Sequence, residues 1–368
     1  MKFQRSRRWL AAGNLLLMAG LMVSLMIWPS ETGLLSLEGL PSAAVVGLFL
    51  GIYWLISLPI DFLGGYRLPA LHGKTVESPG QWFKRWLRAS LVHLLLLWVQ
   101  GMLLWEMGAW LGLAGVIGGL ILIMLLLLSL QLWIGRALNG WTVQPENDRG
   151  RLVMYVTNQN QAFTGGIAGL PGNEVIVLPQ YWKTRFSEKV MKMILARRQG
   201  AIVTASHGRG AALAFLTQLI CFGLAAWLGG MHEPNASHFL QTIGLYSLFN
   251  LLPMLFLLPG MSRKATLEVD RWTFYKNADA DLLREAFKQT SRLQDLEQAF
   301  QPAWLGFFHP TPTLPDRQAA MQTQKPQKGS WFVLAYSQYL SWAGLNLLGR
   351  SWSAQIGRPE LWAFLPGD

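Results

Sequence analysis

Two adjacent arginines, Arg197 and Arg198, stand inside a stretch that reads as a helix from Lys183 to about Ser206, and their side chains set what chemistry the region can do. Phe186, Val190, Met193, Ile194 and Arg197 recur at helical spacing and share one face. A guanidinium is permanently charged, carries only donors, and presents a planar fork that grips a phosphate or a carboxylate. It is neither a metal ligand nor a general base. Further along, Glu268 and Asp270 lie in a second helical stretch, Thr266–Tyr275, and supply the opposite charge. Three arrangements are open. The arginines can form a buried ion pair with Glu268 or Asp270. They can instead hold an anion. Or Arg198 can snorkel to a lipid–water boundary.

Metal chemistry finds little support in the remaining residues. Of the histidines, His232 and His238 fall on a short apolar-flanked loop and His93 inside an apolar run. His72, His207 and His309 have no second ligand at helical i,i+4 spacing, and read as surface or headgroup-level residues. Cys221 is the single cysteine, so there is neither an intrachain disulfide nor a C-x-x-C site. The expectation is no metal and no cofactor.

Ahead of the arginine helix comes AFTGGIAGLPG, with Gly165, Gly166, Gly169 and Gly172. Glycines at this density permit positive-φ turns, and the segment is expected to be a turn. It separates two strand candidates, Arg151–Thr157 and Glu174–Leu178, rich in β-branched and aromatic residues.

These residues must be positioned by a membrane protein. The chain has 368 residues, of which 52% are hydrophobic and 14% charged, against about 25% charged in soluble domains. Six runs are long enough to cross a bilayer: Trp9–Trp28, Gly39–Ile60, Ala89–Trp105, Leu111–Gly135, Gly210–Met231 and Phe239–Met261. Segments 29–38, 106–110 and 232–238 contain no Lys or Arg, whereas the opposite segments carry them all. The positive-inside rule then puts both termini in the cytoplasm. The formal charge of +11 is thus a topology signal. Nucleic acid is excluded as a partner, because no basic stripe or aromatic reader motif accompanies the charge. Inside the third run, His93 and Gln100 share a face and read as helix–helix hydrogen-bonding groups.

Five regions follow. Residues 1–135 are a four-span block, 136–209 a first cytoplasmic part, 210–261 two further spans, 262–325 a second cytoplasmic part, and 326–368 an amphipathic tail. In the second cytoplasmic part, Asp279–Phe300 reads as an amphipathic helix. In the tail, residues 331–348 read as an interfacial helix, interrupted as a span by Ser337, Gln338, Ser341 and Asn346.

Several of these features occur together in one known family. The lead AFTGGIAGLPG, the strand EVIVL, the helix around Ala196-Arg197-Arg198-Gln199-Gly200-Ala201, and the later SRKATLEVD resemble the integral-membrane zinc metallopeptidases of the CAAX prenyl protease and HtpX type. The four spans before the first motif and two between the motifs agree with that family. In it, the helix bears A-H-E-x-x-H and the later segment S-R-x-x-E-x-x-A-D. The resemblance implies a zinc endopeptidase with a gluzincin-like α+β domain. In register, however, Arg197 stands at the first ligand His, Arg198 at the Glu, Ala201 at the second His, and Thr266 at the ligand Glu. Asp270 matches the motif Asp, and His309 with Arg317 resembles the family's HP…R signature at altered spacing. The family's edge strand near the glycine lead implies a peptide groove by strand addition; a purely structural hairpin is the alternative.

The reading is a mostly α, six-span protein of a cell (inner) membrane, with a cytoplasmic metallopeptidase-like α+β domain. It is expected to be a zinc-less pseudopeptidase that binds a membrane protein, peptide or lipid. The candidate anion or peptide site comprises Arg197, Arg198, Glu268, Asp270, Gly165, Gly166, Gly169, His309 and Arg317. Two alternatives stay open: an active zinc endopeptidase with a non-standard site, and a transporter or lipid-handling protein.

Overall fold

The computed structural model describes residues 2–27, 40–74, 77–148, 150–158, 160, 162–277, 279–293, 312–321, 332–351 and 355–364. Four helical stretches among these are long and apolar enough to cross a membrane: Ser42–Leu71, Pro79–Asn139, Ser206–Leu228 and Ala236–Asn277. We label the helices α1 (Lys2–Ile27), α2 (Ser42–Leu71) and α3 (Pro79–Asn139). After the sheet come α4 (Trp182–Arg185), α5 (Glu188–Val203), α6 (Ser206–Leu228) and α7 (Ala236–Asn277). The last three are α8 (Ala280–Leu293), α9 (Leu314–Met321) and α10 (Leu334–Ala343).

Helix α3 is a hairpin. Its start is fixed by a capping box, in which Ser78 Oγ accepts the Gln81 N–H at 3.3 Å and Gln81 Oε1 accepts the Ser78 N–H at 2.9 Å. It ends at Gly140, whose left-handed φ of 70° closes the last turn. Between them Gly112 has φ 58° and ψ −146°, a region open essentially to glycine alone. The two arms then run back along each other. Arg88 Nε donates to Ala137 O at 3.1 Å, although a straight helix would hold these residues about 73 Å apart. The expected spans Ala89–Trp105 and Leu111–Gly135 fall on the two arms.

The sheet has four strands rather than the expected two: β1 (Val143–Asp148), β2 (Arg151–Val156), β3 (Gly166–Ala168) and β4 (Val175–Pro179), in the order β1-β2-β4-β3. β2 and β4 are parallel and central, and the outer pairs are antiparallel. β1 was not legible because its sequence, VQPEND, is polar and carries a proline, a composition tolerated at a sheet edge. β3 corrects the expectation of a plain turn: Gly166 is in a strand, flanked by Gly165 (φ 74°) and Gly169 (φ 101°).

Alternation decides which layer each strand residue joins. Val153, Tyr155, Ile176 and Leu178 pack with Trp182, Met193, Ile194 and Phe287. Val156 and Val177 point the other way, into the core of the helix bundle. The arginine helix is also shorter than its sequence pattern. Phe186 is extended (φ −104°, ψ 147°), and α5 starts afresh after Ser187, whose Oγ accepts the Val190 N–H.

α7 extends over 42 residues, about 63 Å, roughly twice the thickness of a hydrocarbon core. Its apolar part ends near Met261. The remaining turns carry Arg263, Lys264, Glu268, Asp270 and Arg271 and lie beyond that part. They pack against α5 and α9.

The C-terminal segment overturns its expected interfacial placement. From Phe332 to Ser351 and from Gln355 to Phe364 every described residue except Ala335 is buried. Only Leu334–Ala343 is helical, followed by two short 3₁₀ turns. Ser341, which weakened the case for a further span, receives a bond from Asn250 Nδ2 at 3.3 Å. Gln218 bridges the same region, bonding Tyr246 Oη, Asn250 Nδ2 and Ser337 O. Polar side chains inside the bundle thus answer the segment rather than lipid.

The hairpin is open to direct test. With Cys221→Ser as background, Leu104→Cys and Gly119→Cys are expected to join through a short thiol cross-linker, since a Cβ at Gly119 lies 3.2 Å from Leu104 Cδ2. An unbroken helix would separate them by about 22 Å and give no cross-linked product on mass analysis.

Candidate functional site

The site forms where α5, the outer part of α7 and α9 meet above the bundle. On α5, Val190, Met193, Ile194, Arg197 and Ala201 form one buried stripe. On α7, Ser262, Thr266, Asp270 and Thr273 form the facing one. These spacings put the sequence-singled residues of the two helices opposite each other.

Asp270 is fully buried and lies at the centre. Arg197 Nε donates to its Oδ1 at 2.6 Å. Arg317, from α9, donates Nε to Oδ2 at 2.6 Å and Nη2 to Oδ1 at 2.8 Å. The second contact is the bidentate fork that favours arginine over lysine. Arg317 also stacks over Phe287 of α8, 3.5 Å from the ring centroid. Burial pushes the Asp270 carboxyl upward, but Arg317 and then Arg197 outweigh it, so it titrates below the usual carboxylate range.

Arg198 is buried as well. Its Nη2 donates to Thr164 O at 3.3 Å, tying α5 to the residue before Gly165. Burial first, and then the Arg197 and Arg317 charges, pull its pKa down to about 9, which leaves it charged at neutral pH. It does not snorkel. Glu268 is buried on the same helix as Asp270. Beside the cluster, Trp182, Met193, Arg197, Arg198, Phe287 and Arg317 line a crevice of about 20 Å³. That volume suits one water.

The remaining motif positions lie in apolar surroundings. Ala201 packs with Ala265, Val269 and Phe332, with Ile167 of β3 against them. Thr266 is fully buried and its hydroxyl donates to Ser262 O at 3.1 Å, one turn back on its own helix. In the register that the resemblance implies, the side chains do not suit zinc: two guanidiniums, a methyl group and a hydroxyl bonded within its own helix are not zinc donors. Among the described residues no group of three or more His, Cys, Asp or Glu converges in a way that could hold a metal ion.

The structure therefore brings together Arg197, Asp270 and Arg317, and joins Arg198 to the glycine lead. His309 lies outside the described residues. His207 is not a surface residue. It is buried against Tyr336, ring centroids 4.9 Å apart, with Nδ1 3.8 Å from Glu174 Oε1. Sequence reasoning missed Phe287 and Phe332 as partners of the site. Phe287 carried a signal, since it lies on the apolar face of an amphipathic helix. Phe332 carried none.

No family model and no curated protein sequence matches the chain. Among solved structures, the crystal structure of Ste24p from S. mikatae is similar, with a TM-score of 0.59 and 15% identity, covering 83% of this chain and 80% of that chain. At this identity the likeness is one of fold: the chain is built on the fold of Ste24p, an integral-membrane zinc metalloprotease of the CAAX prenyl protease type.

Proposed function

We propose that this protein is a zinc-less pseudopeptidase of the cell (inner) membrane, spanning it six times with both termini in the cytoplasm, that binds a membrane protein, a peptide or a lipid rather than cleaving it. One observation carries the reading. The positions from which the fold's peptidases would present zinc ligands hold an arginine whose charge is committed to Asp270 and an alanine packed on Phe332. Arginine cannot give up its proton to become a ligand or a base. The Arg197–Asp270–Arg317 cluster occupies the same junction of helices and joins them by charge in place of a metal. An active zinc site elsewhere would need three convergent donors, and the described histidines are too dispersed to provide them.

Metal analysis of the detergent-purified protein tests the reading. Less than stoichiometric zinc is expected both as isolated and after zinc loading and desalting. One tightly held zinc per chain, with peptide cleavage abolished by a chelator, would overturn it.

The charge cluster makes a second prediction. Asp270→Asn leaves two guanidiniums buried without a counter-charge and is expected to cost ~3–5 kcal/mol of stability. Thermal unfolding in detergent measures this, with Glu188→Gln, on an exposed pair, as a control near zero. The pH dependence follows from the depressed carboxyl value. The stabilisation from Asp270 is complete above the usual carboxylate pKa of about 3.9. It is lost only as the pH falls below that, through the lowered value. Between pH 7 and pH 5 the difference between wild type and Asp270→Asn is therefore expected to stay constant.

A further inference from the structure

The interior of the helix bundle holds the chain's own C-terminal segment, and it holds that segment by the backbone. Near the start of the segment, Ser262 Oγ accepts the Leu334 N–H at 2.8 Å. His93 Nε2 donates to Trp342 O at 2.7 Å, and Gln100 Nε2 to Ala343 O at 2.8 Å. Further on, Ser247 Oγ accepts the Leu347 N–H at 3.2 Å and the Tyr53 hydroxyl donates to Leu347 O at 3.0 Å. At the far end Trp82 Nε1 donates to Gly357 O at 3.1 Å and Gln131 Nε2 to Ala363 O at 2.7 Å. These side chains come from α2, both arms of α3, and α7. Helix packing alone asks only for complementary shape. A set of side chains aimed at another segment's main chain is how peptides are bound, because main-chain bonds give affinity to an irregular backbone.

The bundle is also cut to fit that backbone. A Cβ at Gly65 would lie 1.9 Å from Gly357 O, and one at Gly210 would lie 2.0 Å from Phe332 O. Glycine at both positions lets two main chains touch. One charged anchor is present. Arg350 pairs with Asp61, which also accepts the Trp86 Nε1–H and the Gly357 N–H, each at 2.8 Å. The Arg350 guanidinium stands 4.7 Å from the Trp362 ring centroid.

The segment is continuous with the candidate site. Phe332 fills the space beside Ala201, and the Tyr336 hydroxyl donates to Ile167 O of the edge strand β3 at 3.2 Å. Between α9 and the segment runs QTQKPQKGS, residues 322–330, whose polar, proline- and glycine-containing composition is that of a connector.

We propose that the bundle interior is a peptide-binding cradle, occupied in cis by residues 332–351 and 355–364. In trans it accepts a polypeptide segment of the same chemistry by displacing the resident one. That chemistry is apolar and aromatic, largely without regular secondary structure, with one guanidinium at the depth of Asp61. The proposal rests on the reading of this protein as a binder of polypeptide segments and names what that site takes and what keeps it closed.

The test uses the full chain in detergent or nanodiscs, with a specific protease sequence inserted after Lys325. After cleavage the protein is incubated with a fluorescent synthetic copy of residues 332–368. Saturable uptake approaching one label per chain, reversed by unlabelled peptide, is the expected result. A peptide carrying Arg350→Gln is expected to bind about tenfold more weakly, as loss of a buried charge partner requires; this leaves the protein itself unaltered. Asp61→Asn in the protein should erase the difference between the two peptides. If the cleaved protein keeps its own fragment and admits no label, the segment is permanent core and the cradle is wrong. Loss of helical signal as the fragment leaves has the same meaning. Either failure in a protein that still binds no zinc removes the cradle alone. Chelator-sensitive cleavage of the added peptide removes the pseudopeptidase reading itself.

Discussion

Irregular backbone inside a bundle of apolar helices must have its amides and carbonyls answered by the protein, because hydrocarbon cannot answer them. Residues 344–364 of this chain are largely irregular and fully buried where described, and most of the polar residues within the spans exist in relation to them. Gln131 on α3 and Tyr53 and Asp61 on α2 bond to the segment, while His93 and Gln100 on α3 and Gln218 on α6 bond to carbonyls of α10, the helix that leads into it. Isolated in an apolar helix, each would be an expense; around the segment, each satisfies a donor or an acceptor. The π-turn Leu63–Arg67 that interrupts α2 sets Gly64 and Gly65 against Ile356 and Gly357.

The same logic governs the junction outside the spans. Three arginines buried in one place would be untenable without anions. Asp270 takes two of them, and the carbonyl of Thr164 accepts from the third. A zinc ion and its ligands join a helix pair by coordination. Here a carboxylate and two guanidiniums join α5, α7 and α9 by charge-assisted hydrogen bonds, with Phe287 beneath the outer arginine. Charge-assisted bonds at this junction bind the three helices to one another.

Local pattern made much of this legible. Apolar length marked stretches that the structure forms into helices long and apolar enough to cross a membrane, and the 3.6-residue stripe through Val190, Ile194 and Arg197 gave the buried face of α5. The resemblance of the glycine lead and the SRKATLEVD segment pointed to the right fold, although Thr266 and Ala201 departed from it. These signals are carried by contiguous residues, so they survive without knowledge of what packs where.

Tertiary structure decided the rest. The sequence left Glu268 and Asp270 equal as partners for Arg197; the pairing went to Asp270, joined by Arg317, because helix crossing and α9 docking bring those three together. A three-residue edge strand, β3, has no pattern of its own and exists only because β4 lies beside it. The segment after Phe332 read as interfacial because its serines, glutamine and asparagine seemed to call for water. Inside the bundle, residues far away in sequence answer it: Asn250 donates to Ser341, and Asp61, nearly 300 residues distant, pairs with Arg350. Periodicity is a property of neighbours along the chain, whereas the satisfaction of a buried polar group is a property of whatever the folded chain brings to it.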